Sequence, residues 1–299
     1  MYTTFYGLKE KPFEISPDPK FLYLSPGHQE ALAHMVYAVS QRIGFTVITG
    51  EVGTGKTTLV QSLLSQLNGS TRTAYLFNPN LSILDFLEYI CEDLGVKTNR
   101  RSKGQYIAHL YQALLDYYAR NVGVVLIIDE AHRLKPELLE EIRLLTNLET
   151  PKGKLLQVIL VGQPELNETL DRKEFRQLKQ RISLRYHLRM LTRKEAFEYI
   201  ENRLRKAGLK GPPIFSAKAL ELIFEYSRGT PRLINIVCDN ALIAGYASDR
   251  QIIEKNTIQE VIDNREGLGG QRRLARGKIV LIILLVLFFL LILGWYWWR

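Results

Sequence analysis

Gly50-Glu51-Val52-Gly53-Thr54-Gly55-Lys56-Thr57 is a complete GxxxxGK[ST] phosphate loop, and its flanks decide the fold around it. Before it, Phe45-Thr46-Val47-Ile48-Thr49 is β-branched and aromatic; after it, Thr58-Leu59-Val60-Gln61-Ser62-Leu63-Leu64 has apolar positions at helical spacing. A strand, a Gly-rich turn and a helix in that order form the setting in which the motif binds a nucleoside triphosphate. The glycines at 50, 53 and 55 let backbone N–H groups wrap a phosphate, and the helix offers its positive N-terminal end to the same anion. Lys56 is expected to reach the β- and γ-phosphates of ATP and the Thr57 hydroxyl to ligate Mg²⁺, with Glu51, Val52, Thr54 and Thr58 completing the cradle. The alternative is a Gly-rich turn with an idle lysine, which the flanking strand and helix patterns disfavour.

Downstream, Gly123-Val124-Val125-Leu126-Ile127-Ile128 is a continuous apolar run of the kind that forms a buried parallel strand, and it ends in Asp129-Glu130-Ala131-His132. Two carboxylates at the tip of a buried strand are costly unless they meet a cation or water, so the pair reads as a Walker B site. Asp129 is expected to hold Mg²⁺ through water, and Glu130 to orient and deprotonate the attacking water. Alone, such a pair is more often a helix N-cap; behind a phosphate loop the catalytic reading prevails. His132 reads as a first-turn helix residue, and Asp-Glu-Ala-His does not by itself mean a helicase.

The apolar fraction of 46% and charged fraction of 24% are those of an ordinary globular protein, and 299 residues allow one large core plus a smaller domain. Cys91 and Cys238 both lie in helix-like apolar patterns and read as buried thiols in a reducing compartment, forming neither a disulfide framework nor a metal site. Met1 to Glu10 lacks the form of a signal peptide, so the N-terminal part is expected in the cytosol. The formal charge of +9 is concentrated at the end: residues 1 to 270 carry 35 positive and 31 negative charges, a net of only +4. That distribution argues against direct nucleic-acid binding.

Ile279 to Trp298 is 20 residues without a charge, enough to cross a hydrocarbon core of about 30 Å as a helix. Arg272, Arg273, Arg276 and Lys278 precede it and only Arg299 follows, which places the basic flank in the cytoplasm; Trp295, Tyr296, Trp297 and Trp298 suit a membrane interface. One C-terminal span in a bacterial inner membrane is expected, its lipid contacted through this helix. A buried core helix is the alternative, weakened by an apolar character on every side.

Between these motifs, strands are expected at Thr73 to Phe77, Leu155 to Val161 and Ser183 to Leu188, with helices at Ile83 to Leu94, Gln105 to Asn121 and Pro136 to Leu145. The alternation implies an α/β fold, a parallel sheet flanked by helices. From Leu191 no strand pattern remains. Thr192-Arg193-Lys194-Glu195 and Thr257-Ile258-Gln259-Glu260 fit capping boxes, and Pro231 suits a first helical turn. The expected division is an α/β core over 1–190 with an N-terminal strap, a helical lid over 191–265, a basic Gly-rich linker over 266–278 and the membrane helix over 279–298. Pro12, Pro17, Pro19 and Pro26 give the strap its extended character.

A phosphate-loop α/β core followed by a helical lid resembles the plan of the AAA+ ATPases. Residues 1–32 at the start, Val161-Gly162-Gln163-Pro164-Glu165-Leu166, Phe175 to Leu188 and Gly229-Thr230-Pro231-Arg232-Leu233-Ile234-Asn235 are similar to the general secretion pathway protein A family and to the related ATPases of exosortase and exopolysaccharide systems. The resemblance implies further roles. Gln163 stands where these proteins keep sensor 1, a polar group on the γ-phosphate or the attacking water. Arg232 matches sensor 2. Arg181 lies where an arginine finger would reach a neighbouring subunit, with Arg176 as second choice, and Asn78 is placed to hydrogen-bond Glu130 and hold it inactive. A surface arginine is the alternative for Arg181, Arg232 and Arg176. In the family the N-terminal strap lies over the adenine side of the nucleotide. Members often continue into a periplasmic domain that binds peptidoglycan; this sequence stops at Arg299, so no cell-wall contact is implied for the residues in hand.

The reading is a membrane-anchored AAA+ ATPase, a homo-oligomer, hydrolysing ATP on the cytoplasmic face to drive assembly or export with an envelope or secretion machinery protein. A DNA-associated ATPase of the transposition-regulator type is the competing class, and a nucleotide-gated scaffold with negligible turnover a third.

Overall fold

The computed structural model describes residues 1–16, 18–67, 69–98, 102–151 and 153–267. The basic linker beyond Gly267, the membrane span at 279–298 and Pro17 lie outside the described residues, among which no helix is long and apolar enough to cross a membrane. The chain divides into two compact units, Ser16–Glu195 with Thr230–Arg232, and Met1–Ile15 with Ala196–Gly229 and the residues from Leu233 onward.

The first unit is built on five strands: β1 (Phe45–Gly50), β2 (Thr71–Leu76), β3 (Gly123–Ile128), β4 (Gln157–Gly162) and β5 (Leu184–Leu188). They lie in the order β2-β3-β4-β1-β5, and every neighbouring pair is parallel. Parallel strands need crossover connections, which put helices on both faces. The burial of β3 shows the result: Val124, Leu126 and Ile128 join the core on one face, Val125 and Ile127 the core on the other. The helices that cover the sheet are α1 (Pro26–Ser40), α2 (Lys56–Gln66), α3 (Ile83–Asp93), α4 (Lys103–Ala119) and α5 (Pro136–Leu145). Ala31, Leu32 and Met35 of α1 and Leu59, Val60 and Leu63 of α2 fill the second core. Phe86, Leu87 and Ile90 of α3, Leu110 and Leu114 of α4 and Leu138, Leu139 and Ile142 of α5 fill the first.

The expected elements stand within a few residues of their sequence-read bounds, and the exceptions have local causes. Pro26 does not belong to an extended strap; it occupies the first turn of α1, where its missing N–H is one the helix would leave unpaired anyway, and the Ser25 hydroxyl caps the end by accepting from the His28 amide at 3.4 Å. Pro12, in contrast, is part of no helix.

The helical unit contains most of α6 (Arg193–Lys206), α7 (Ala217–Ser227), most of α8 (Pro231–Ala247) and α9 (Lys255–Arg265). Residues 1–15, expected with the α/β core, pack here instead. Tyr2 donates to Asp239 at 2.5 Å, Tyr6 to the Arg250 carbonyl at 2.9 Å, and the Lys9 amide to the Ala207 carbonyl at 2.7 Å. Arg203 is buried, and its guanidinium donates to the carbonyls of Pro12 and Glu14 and to the Tyr199 hydroxyl, which donates onward to Asn235 at 2.8 Å. A proline-punctuated segment thus finds its backbone partners in an arginine of α6. The second expected capping box does not form. Helix α9 begins at Lys255 with Glu254 as N-cap, and Thr257 is buried in its first turn. Both cysteines are buried and free, and burial pushes the Cys91 thiol up to about 11.

The first capping box is fully formed. The Glu195 carboxylate accepts from the Thr192 amide at 2.7 Å, and Thr192 Oγ1 accepts from the Glu195 amide at 3.4 Å. Arg189 adds a two-pronged pair to the same carboxylate at 2.6 and 2.7 Å, holding Glu195 down to about 2 from its ordinary 4.5. A carboxylate depressed in the fold stabilises it above its unfolded pKa and loses that effect as pH falls. Glu195→Gln is therefore expected to cost about 2 kcal/mol in urea unfolding at pH 7. The gap to the parent should narrow as pH drops from 4.5 toward 2; a gap that stays constant with pH would remove this carboxylate from the account.

Candidate functional site

The site lies at the carboxyl ends of the parallel strands, the usual place for ligands in such sheets. β1 runs into the phosphate loop, β3 into Asp129, and β4, which lies between them, into Gln163. The loop needs its glycines. Gly53 and Gly55 have φ of 79° and 97°, in the left-handed region where a side chain is strained. A Cβ at Gly53 would stand 2.8 Å from the Arg232 Cβ, and one at Gly50 the same distance from the Leu188 carbonyl. Gly55 is the N-cap of α2 and offers no side-chain cap, so the first-turn amides of that helix are left to an anion.

Lys56 is buried and donates to the carbonyls of Gly50 at 2.8 Å and Glu51 at 2.9 Å. Burial lowers its pKa, and the charges of Glu130 and Asp129 oppose that shift. Thr54 closes the loop through its hydroxyl, which donates to the Glu51 carbonyl at 2.8 Å. Thr57 donates to Asp129 Oδ2 at 2.7 Å, and the Glu130 amide donates to Asp129 Oδ1 at 2.8 Å. Asp129 is only 3% exposed, so these donors stand where water would otherwise have to. The oxygen donors of Thr57 and Asp129, side by side, form the hard ligand set that suits magnesium.

Glu130 turns out of the strand with φ 52° and ψ 32°, a left-handed conformation that costs a non-glycine residue about 1 kcal/mol or more. Its carboxylate makes no helix cap; it points toward His132, Oε2 to Nε2 at 3.6 Å. Asn78 is exposed past the end of β2, and among the described residues it makes no hydrogen bond to Glu130. The expected Asn78 latch on Glu130 is therefore absent from this conformation. Gln163 also meets His132, its backbone amide 3.4 Å from Nδ1 and its side-chain amide 3.0 Å from Nε2. Arg232 comes to the loop through its backbone, donating to the Gly53 carbonyl at 3.3 Å, and its side chain is exposed. Arg181 is not at the loop. Its guanidinium donates to Thr146 Oγ1 at 2.9 Å, at the C-terminal end of α5, where a cation suits the helix dipole. Arg176 is exposed.

Sequence reasoning missed His28. Its ring is buried against the loop, with Nε2 2.8 Å from the Thr54 carbonyl and Nδ1 2.7 Å from Ser25 Oγ. A carbonyl can only accept, so Nε2 carries the proton and Nδ1 accepts from the serine. Burial lowers the His28 pKa, which keeps the ring neutral and this arrangement in place. A Cβ at Gly55 would stand 3.0 Å from the same Nε2. The only cue in the sequence was Ser25-Pro26, a helix start that sets His28 in the first turn. On the far side of β1, Thr49 Oγ1 accepts from Asn167 at 3.3 Å and is 3.1 Å from His187 Nδ1. Tyr75 is a weaker neighbour, its hydroxyl 3.5 Å from Asp129 and pushed up to about 12 by burial.

His28→Leu keeps the bulk and leaves the buried Thr54 carbonyl unpaired, which is expected to cost about 1–3 kcal/mol in chemical unfolding and to weaken nucleotide affinity roughly tenfold. Titration with a fluorescent ATP analogue checks it, and wild-type affinity in a folded His28→Leu would show that the His28–Thr54 contact does not shape the loop for nucleotide.

A family model described as an AAA domain matches residues 39–170. The chain is 42% identical, over 99% of its length, to General secretion pathway protein A of Aeromonas hydrophila, and it spans about half of that relative, 54% of its length. Drosophila ORC bound to DNA superposes with a TM-score of 0.66 at 18% identity, covering 87% of this chain and 65% of that one. Aeropyrum pernix ORC2, in ADPNP–ADP complexes, gives a TM-score of 0.62 at 20% identity, covering 85% and 71%. At such identities the structural likeness speaks for the fold alone. A phosphate loop and an acidic strand tip joined at 2.7 Å, on a five-stranded parallel sheet, and a relative matched along nearly the whole chain lead to one conclusion: the chain belongs to the AAA+ ATPases, in the family of general secretion pathway protein A.

Proposed function

We propose that this chain hydrolyses ATP at the described site and uses the cycle to drive assembly or export at a bacterial inner membrane. The observation that carries the reading is the Thr57–Asp129 contact, which joins the phosphate loop to the acidic strand tip with Glu130 beside it. Backbone amides from Gly53 to Thr57 and the Lys56 ammonium bind the phosphates, with Gly50, Glu51, Val52 and Thr58 framing the loop. Thr57 and Asp129 would hold Mg²⁺, which when bound neutralises charge between the β- and γ-phosphates. Glu130 orients a water and accepts its proton. Gln163 contributes a polar group beside that water, and Arg232 reports on the γ-phosphate from its place against Gly53. Arg181 serves as the finger for a neighbouring subunit in a homo-oligomer; it would have to leave Thr146 to do so, and the expected contribution of such a finger is about 10³- to 10⁵-fold in rate.

The uncharged run from Ile279 to Trp298 supports a single membrane span, and the four basic residues before it support a cytoplasmic ATPase domain. Similarity to a protein named for the general secretion pathway supports an envelope or secretion partner. The DNA-associated alternative rests on a shared core, and the likeness to ORC extends only to the fold.

Lys56→Ala is expected to abolish tight ATP binding, because Lys56 meets ground-state phosphates. Glu130→Gln should bind ATP as the parent does and lose about 10²- to 10⁴-fold in phosphate release. Equilibrium binding and single-turnover phosphate release on both variants test the pair; undiminished hydrolysis in Glu130→Gln would overturn the general-base assignment, and ATP binding without turnover in the parent would leave a nucleotide-gated scaffold.

A reporter fused to residues 271–299 is expected to pellet with membranes through carbonate extraction. Recovery in the supernatant would refute the span.

A further inference from the structure

His132 is not explained by the phosphate loop, the magnesium ligands or the core. It sits in the short turn Ala131–Arg133 after Glu130, with a side chain only 15% exposed. Its backbone is pressed against the end of β4: a Cβ on Gly162 would come within 3.1 Å of the His132 amide nitrogen. Its ring lies against Gln163.

Hydrogen-bond direction then assigns the ring's proton. The Gln163 backbone amide faces Nδ1 at 3.4 Å, and an N–H can only donate, so Nδ1 is the acceptor and a neutral ring carries its proton on Nε2. Nε2 faces two groups, the Gln163 side-chain amide, placed with its nitrogen at 3.0 Å, and Glu130 Oε2 at 3.6 Å. A neutral ring has one acceptor nitrogen and cannot accept from both N–H groups of Gln163; the backbone amide is fixed on Nδ1, so the side-chain amide is the one to be turned, bringing its oxygen to Nε2 in place of its nitrogen, an assignment that follows from the partners. The amide's NH₂ is then turned away from His132, free to donate elsewhere. The Glu130 oxygen is too far for a hydrogen bond, yet only 0.6 Å farther than the group that holds the proton now.

We propose that His132 is a positioning residue whose single Nε2 proton is shared between Gln163 and the carboxylate of Glu130, so that the orientation of the one is coupled to that of the other. With the Nε2–H donated to Gln163, the amide is fixed with its NH₂ outward. When Gln163 turns to another partner, the same N–H is released to Glu130 and aligns the carboxylate. The left-handed backbone at Glu130 and the close seat at Gly162 hold the three groups within reach. This inference rests on Glu130 acting as the general base, and the Glu130→Gln measurement tests that role separately.

In the full chain, His132→Ala is expected to bind ATP within about threefold of the parent and to lose about 10- to 100-fold in kcat, since a misplaced reacting group costs on that order. His132→Gln, which can keep a donor near the Nε2 position, should recover most of that loss. The double variant His132→Ala with Gln163→Ala should be no slower than the slower single variant, because both remove one coupled unit. In ¹⁵N-histidine-labelled protein, which has five histidines, the His132 ring should report the Nε2–H form and shift on Gln163→Ala. Multiplicative losses in the double variant, a His132→Gln as slow as His132→Ala, a rise in KM with unchanged kcat, or an Nδ1–H ring would each overturn the proposal. Turnover surviving in Glu130→Gln would instead overturn the general-base reading.

Discussion

The hydrogen bond from Thr57 to Asp129 is the constraint around which the α/β unit is organised. It joins the first turn of α2 to the tip of β3, and those elements follow β1 and β3, which are not neighbours in the sheet. β4 must lie between them, in register with both, for the contact to form. Asp129 ends a strand buried on both faces, where an unsatisfied carboxylate would be expensive. The cost is met by the amide of the next residue, Glu130, and by the Thr57 hydroxyl, which only the correct strand order brings there. Strand order, core and site are thus one arrangement.

The phosphate loop shows a second constraint, that of space. Glycines at 50, 53 and 55 are needed for reasons that differ: a carbonyl of β5 beside the first, the 230–232 segment beside the second together with a left-handed backbone, and the ring of His28 beside the third. The loop is therefore packed from outside while its amides are left for an anion. His28 suits that task because burial keeps it neutral, so it supports the loop without adding a second buried cation beside Lys56.

Much of this was legible from residues alone because the signals are local. The phosphate loop needs a fixed spacing of glycines and a lysine; β3 needs a run of apolar residues; Pro136 and Thr192-x-x-Glu195 mark helix starts through backbone groups within one turn. Such patterns depend on neighbours in sequence, and they led to the α/β class, the helical region and the Gly50–Thr57 and Asp129–Glu130 segments.

What required the tertiary structure was every pairing made across strands or between distant segments. Pro26 could open a helix or sit in a strap, and only the packing of Ala31, Leu32 and Met35 on the sheet decides for the helix. The first fifteen residues find their partners in Arg203, Asp239 and Arg250, far along the chain. Glu130 faces His132 from a left-handed turn that no composition announces. Arg181 meets Thr146 at the end of α5, 35 residues away in sequence. By itself, then, the sequence determined the elements and the chemistry of each motif, which are set by short-range sterics and hydrogen bonding. The fold decided which side chains meet, because that depends on strand order and on the space that packing leaves.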